Sequence, residues 1–263
     1  MSETPSNIPD NEFSGSAKGL RSERRLRSWR LPALIGIFLL AVAGCVIASA
    51  IGQARDASRR AWCSCHGGGQ IQLALEGYAE EHGAYPPAYV LGSDGKPAHS
   101  WRALILPSID AKLAREYSFD EPWNGPNNSK LANRMPAMFR CPSDLDAKEG
   151  TTNYVVVVGD QTMWPGAVGR KLSATNGIDT ILLVEVKDLN INWLEPRDLE
   201  FDSMNFQVNS PSGNCIGSHH PAGALVWIAG GGRPLLRDGT PQEDVRFLLT
   251  VGRDVNARRI SLD

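Results

Sequence analysis

The sequence predicts an α+β fold: an N-terminal membrane and stem helix, then an antiparallel-sheet head that ends in a short helix. Three observations predict it. Residues 31–51 are 21 consecutive residues without a charge. A stretch with helical spacing of apolar residues follows, and beyond Ala84 proline-rich turns separate short apolar runs.

Met1 to Ser28 is polar and lacks apolar periodicity, so residues 1–30 are expected to form a disordered, basic cytoplasmic tail. The tail carries Lys18, Arg21, Arg24, Arg25, Arg27 and Arg30 against Glu3, Asp10, Glu12 and Glu23. Its net charge is +2, which leaves −4 for the rest of a chain whose total is −2. Residues 31–51 are long enough at helical rise to cross a hydrocarbon core of about 30 Å. Arginines on the N-terminal side place the tail in the cytoplasm and the head outside, a single-pass inner-membrane topology. Arg55, Arg59 and Arg60 weaken that asymmetry without reversing it. An uncleaved anchor is the expectation, and two cleavage readings stay open beside it. Val42-Ala43-Gly44-Cys45 fits a lipoprotein signal box with Cys45 as the lipidated residue, and Ala48-Ser49-Ala50 resembles a signal-peptidase site.

Residues 52–83 read as a stem helix, with Ile71, Leu75 and Tyr78 at helical spacing. A break is expected at Gly67-Gly68-Gly69, because glycines there cost about 3 kcal/mol in all relative to alanine. Residues 84–263 form the extracytoplasmic head. Tyr154–Val158, Thr180–Val186 and Ala224–Ala229 read as strands, the last turning through Gly230-Gly231-Gly232 into Arg233–Arg237 as a hairpin. Thr240-Pro241-Gln242-Glu243 is a capping box before Val245, Leu248 and Leu249, and Gly252 is expected to stop that helix. A mildly acidic head without a basic stripe argues against nucleic acid as a partner.

Several runs carry a family resemblance. Phe119-Asp-Glu-Pro-Trp-Asn-Gly-Pro-Asn-Asn128, Arg140-Cys-Pro-Ser-Asp144, Thr152-Asn-Tyr154, Trp193 to Asp202 and Ser218-His-His-Pro-Ala-Gly223 lie in the same order as in a large paralogous family of planctomycete proteins. The chain resembles that family from about Arg55 nearly to its end. Such proteins join a pseudopilin-like stem, similar to those of type II secretion, to a domain of unknown function that is sometimes labelled solute-binding. The resemblance implies a pilin-like head and a structural or assembly role at the cell envelope, with envelope proteins or self-association through the stem as partners. It brings no established activity. The leader of such proteins, glycine followed by Phe-Thr-Leu-Val-Glu, is not matched, since Arg-Ser-Trp-Arg30 precedes an apolar run without glutamate.

The cysteines outside the membrane segment are Cys63, Cys65, Cys141 and Cys215, in a compartment that permits disulfides. The expected bridge joins Cys141 to Cys63 or Cys65. Cys63, Cys65 and His66 fall short of ordinary zinc spacing, and no metal or other cofactor is expected. Gly213-Asn214-Cys215-Ile216-Gly217 superficially fits a nucleophile elbow with His219 and His220 nearby, a remote hydrolase alternative, but the flanking strand and helix that an elbow needs are missing. No catalytic residue is assigned and no enzyme is expected. Glu195, Asp198, Glu200 and Asp202 on one segment do not make a facing carboxylate pair or a calcium loop. For the alternative of a solute- or carbohydrate-binding module, the ligand contacts expected are Trp123, Trp164, Trp193, Glu195 and Asp198, with Trp123 and Trp164 placed at the surface.

Overall fold

The computed structural model describes residues 16–171, 180–221 and 223–252, and side chains from Arg30 onward. It divides into two units, Met1–Arg55 and Asp56–Asp263. Helix α1 (Ser16–Trp62) fills the described part of the first. The helix starts within the stretch expected to be a disordered tail, where Leu, Arg, Glu and Ala, all good helix formers, dominate from Ser16. Leu31, Ile37, Phe38, Leu40 and Val46 stand more than half exposed, and this apolar stretch suggests a single-pass membrane anchor or a signal sequence.

In the second unit the stem passes through a π turn (Cys63–Gly67) into α2 (Gly68–His82). The glycine break thus takes the form of a π turn within continuous helix. Gly83, at φ 72°, closes α2 in the left-handed conformation. The hairpin β1 (Tyr89–Leu91) and β2 (Pro97–Ser100) follows, then the short helices α3 (Trp101–Leu104), α4 (Leu106–Ile109) and α5 (Ala111–Glu116). The remaining strands are β3 (Thr151–Thr152), β4 (Tyr154–Val155), β5 (Val157–Val158), β6 (Ile181–Glu185), β7 (Ile191–Asn192), β8 (Leu199–Glu200), β9 (Gly223–Ile228) and β10 (Leu235–Arg237), before α6 (Gln242–Leu249).

The central sheet runs β10-β9-β6-β4, antiparallel throughout, and small pairs β1-β2, β3-β7 and parallel β5-β8 surround it. The fold is therefore α+β with small antiparallel sheets. Every residue of β6 and β9 is buried, so both faces of the sheet are covered. Side chains alternate between them. Leu225 and Trp227 join Ile71 and Leu75 of α2 in one core, while Ala224, Val226 and Ile228 join Val245, Leu248 and Leu249 of α6 in the other. Gln72 Nε2 donates to the Ile228 carbonyl at 2.8 Å and ties the stem to β9. The predicted hairpin forms, with Leu235 opposite Leu225 and Gly230, Gly231 and Gly232 at positive φ. Helix α6 ends at Leu249, ahead of Gly252, because Thr250 is already extended.

Candidate functional site

The stem and three head segments bring four reactive side chains together. Cys63 comes from the π turn, Cys141 from the loop after the 3-10 turn Ala137–Phe139, Glu185 from the end of β6, and His220 from the loop before β9. Their sulfur, carboxylate oxygen and ring nitrogen atoms all lie within 4.8 Å of one another, and all four residues are buried. Cys63 Sγ is 3.1 Å from Cys141 Sγ, Cys141 Sγ is 3.4 Å from His220 Nε2, and His220 Nε2 is 3.7 Å from Glu185 Oε1.

Each side chain is held in place by a local reason. Gly67 and Gly68 let the π turn approach the sheet, since a Cβ on Gly67 would strike the Tyr154 hydroxyl and one on Gly68 would enter the Trp227 ring. In the Arg140-Cys-Pro-Ser-Asp144 run every polar residue has a task. The Cys141 amide donates to Asn153 Oδ1 at 2.9 Å, Asn153 Nδ2 donates to Asp144 Oδ2 at 2.7 Å, and Ser143 Oγ sits 3.2 Å from His220 Nδ1. That last contact turns Nε2 toward the sulfurs. The Leu225 amide donates to Glu185 Oε2 at 2.9 Å, leaving Oε1 buried and without a hydrogen-bond partner.

The electrostatics follow from this crowding. Hydrogen bonding to Cys141, together with burial, pushes the Cys63 thiol well up. The same hydrogen bond pulls Cys141 down to about 5 against the effect of burial, helped by His220. Burial pushes Glu185 up to about 7. Burial lowers the affinity of His220 for a proton, but the hydrogen bond to Cys141 and the charge of Glu185 raise it above its ordinary value. The site holds a thiol donating to a thiolate-prone sulfur, beside an imidazole and a carboxyl that face each other.

Residues 52–180 match the model of a family described as Protein of unknown function (DUF1559), a group that also carries a solute-binding label. The match supports a domain-of-unknown-function family for this stretch. It takes in Cys63 and Cys141 and stops short of Glu185 and His220. No curated protein and no solved structure matches the chain.

Cys63, of the two expected candidates, is the one brought to Cys141. Cys65 and His66 are exposed, so the Cys63, Cys65 and His66 group does not assemble. Cys45 lies exposed on α1. Cys215 is buried with its thiol 3.8 Å from the Ser210 carbonyl, and burial raises its pKa. His220 faces Cys141, and His219 Nε2 lies 3.5 Å from Asp144 and 3.6 Å from Asp188, so the imidazoles expected near Cys215 are engaged elsewhere. Trp164, expected at the surface, is buried and donates from Nε1 to the Leu182 carbonyl at 2.7 Å. Trp193 is buried too, donating to the Ala132 carbonyl at 2.9 Å. Asp198 is a structural anion paired with Arg102, and Glu195 pairs with Arg197. Neither Trp164, Trp193 nor Asp198 is available to a ligand from solvent. Trp123 borders a cleft of about 700 Å³, shared with His99, Phe119, Glu121 and Leu91.

Glu185 is not among the residues the sequence singles out, and His220 is singled out only beside Cys215. The signal for Glu185 was present: a single carboxylate inside Ile-Leu-Leu-Val-Glu-Val, a run otherwise fit for complete burial, needs a partner.

Proposed function

We infer that this protein is a single-pass inner-membrane protein whose pseudopilin-like stem and head stand outside the cytoplasm and serve a structural or assembly role at the cell envelope, without catalysis. The observation that carries this reading is the exposed apolar stretch 31–51 of α1, followed by a stem whose α2 docks on an antiparallel sheet. The closed character of the buried cysteine cluster supports the non-catalytic part, since all four groups point at one another. Stem contacts with a second copy or with envelope proteins fit the exposed Leu73 on α2.

Cys65, exposed on the stem, makes the test direct. In spheroplasts, a membrane-impermeant maleimide should label the full chain without lysis, Cys65→Ser should abolish labelling, and alkaline carbonate should leave the protein in the membrane. Labelling only after lysis, or release by carbonate, would overturn the topology. A photo-crosslinking residue at Leu73 should capture a second copy or an envelope protein, and a chain that crosslinks to nothing would remove the assembly role.

Solute binding is a second reading, favoured by the cleft beside Trp123 and by the label of the matched family. It requires a saturable fluorescence change with a glycan or other solute that Trp123→Ala removes, and a panel producing no such change would remove it.

A further inference from the structure

We propose that Cys63, Cys141, Glu185 and His220 bind a zinc ion that fastens the stem to the head. Tetrahedral zinc, with bonds of about 2.3 Å to sulfur and about 2.0 Å to nitrogen or oxygen, sets ligand-to-ligand edges of about 3.3–3.8 Å. The edges seen are 3.1 Å between the sulfurs, 3.4 Å from Cys141 to His220 Nε2, and 3.7 Å from that nitrogen to Glu185 Oε1. To reach the tetrahedral edges the sulfurs must move apart by about 0.7 Å and His220 Nε2 and Glu185 Oε1 together by about 0.4 Å, and the remaining edges lie within the 4.8 Å that spans the group.

A ligand is indicated by more than proximity. Glu185 Oε1 is buried without a hydrogen bond, and its nearest charge partner, His220 Nε2, stands at 3.7 Å, beyond hydrogen-bond reach, so the carboxylate is short of the cation that burial calls for. The outer contacts are those of a metal site: Ser143 Oγ holds His220 through Nδ1 so that Nε2 faces inward, and the Leu225 amide holds the far oxygen of Glu185. Two sulfurs, an imidazole and a carboxylate suit zinc, a borderline-soft ion, rather than magnesium or calcium, which take oxygen. Four protein ligands leave no open position, so the ion is structural.

A Cys63–Cys141 disulfide competes for the same sulfurs. It would consume two electrons' worth of an external thiol oxidant and use only these two groups, leaving Glu185 Oε1 as unpartnered as before. Zinc uses all four groups. Binding requires Cys63, Cys141 and Glu185 as anions and His220 unprotonated at Nε2, so whatever protons these four groups hold pass to solvent and no oxidation state changes. The proposal stands whether or not the topology above holds, because every ligand lies within one compact unit.

The test uses the full chain extracted in detergent without reductant or chelator. Elemental analysis should find zinc equimolar with protein, and non-reducing peptide mapping should find Cys63 and Cys141 unlinked. Anaerobic exchange with cobalt should give thiolate-to-cobalt charge transfer in the near ultraviolet and tetrahedral visible bands, a readout that needs no variant. Cys141→Ser and His220→Ala should lose the metal. Should they fail to fold, Ser143→Ala, which removes no ligand and only the support of His220, should weaken zinc binding about 10–100-fold. A metal-free protein with a Cys63–Cys141 disulfide, or bound zinc indifferent to Ser143→Ala and Cys141→Ser, would overturn the assignment.

Discussion

Arg102 Nη2 donates to Asp198 Oδ1 across 2.6 Å, with 0% and 2% of the two side chains exposed. Arg102 also donates to the Tyr154 carbonyl at 3.1 Å and to Ser100 Oγ at 2.8 Å, while Asp198 accepts from Trp101 Nε1 at 3.2 Å and from the Val156 amide at 3.0 Å. One buried ion pair thus links the start of α3 to β4, to the turn before β8 and to the aromatic core.

Burial lowers the pKa of Arg102 and raises that of Asp198, so each partner is pushed toward its neutral form despite the other's attraction. The pair fixes geometry more than it adds stability, but losing one member leaves the other charged and unpaired. Asp198→Ala is expected to destabilise the head by about 3–5 kcal/mol. Asp198→Asn, which retains an acceptor for Trp101 and Val156, should cost less. Thermal unfolding followed by tryptophan fluorescence measures both, and a loss below about 1 kcal/mol for Asp198→Ala would mean that water replaces the carboxylate.

Two glycines of α2 predict opposite outcomes. At Gly68 a Cβ would enter the ring of Trp227, a fully buried indole, so the stem would have to lift from β9. Gly68→Ala should therefore destabilise by about 1–3 kcal/mol, more than cancelling the gain in helix propensity. Gly77 is exposed, in the same helix, with nothing within 4 Å of its would-be Cβ. Gly77→Ala should stabilise by about 0.5–1 kcal/mol. If both substitutions moved the unfolding midpoint in the same direction, the close docking of Gly68 on Trp227 would be wrong.

What the sequence made legible is what neighbouring residues encode. The apolar run 31–51, the Ile71 and Leu75 stripe, the Gly230–Gly232 turn and the apolar face of α6 are local patterns, and each recurs in the structure. The run Tyr154–Val158 reads as one strand but splits at Val156 into β4, antiparallel to β6, and β5, parallel to β8. The cause is tertiary: the Val156 amide turns to Asp198, and its carbonyl accepts from the Leu199 amide at 3.1 Å. Flanking Pro165 and Gly166 suggest an open loop for Trp164, whereas its indole donates into the sheet. The cysteine cluster was half visible. Cys63 and Cys141 stand out by type, but the turn of His220 toward them is set by Ser143, 77 positions away.

His99 gives the head a dependence on pH separate from the cluster. Its side chain, on β2 and lining the Trp123 cleft, is buried with Nδ1 2.8 Å from the Tyr117 hydroxyl and the Phe119 ring tilted against it at 5.0 Å. Burial lowers its pKa below 6.5, and a hydrogen bond involving the Phe119 backbone only partly opposes this. The sign follows from proton counting. Between the folded pKa and 6.5 the unfolded chain binds more protons at this position than the folded one, so stability rises with pH there. The stabilisation is complete above 6.5 and is lost as pH falls through the folded pKa. His99→Gln, which keeps a hydrogen-bonding group for Tyr117 without titrating, should flatten the acid limb of stability against pH and leave the region above pH 7 nearly parallel to the wild type. Unfolding midpoints from pH 4.5 to 8 read this directly. Equal slopes below pH 6.5 in the two proteins would show that His99 takes up its proton as readily in the fold as in the open chain.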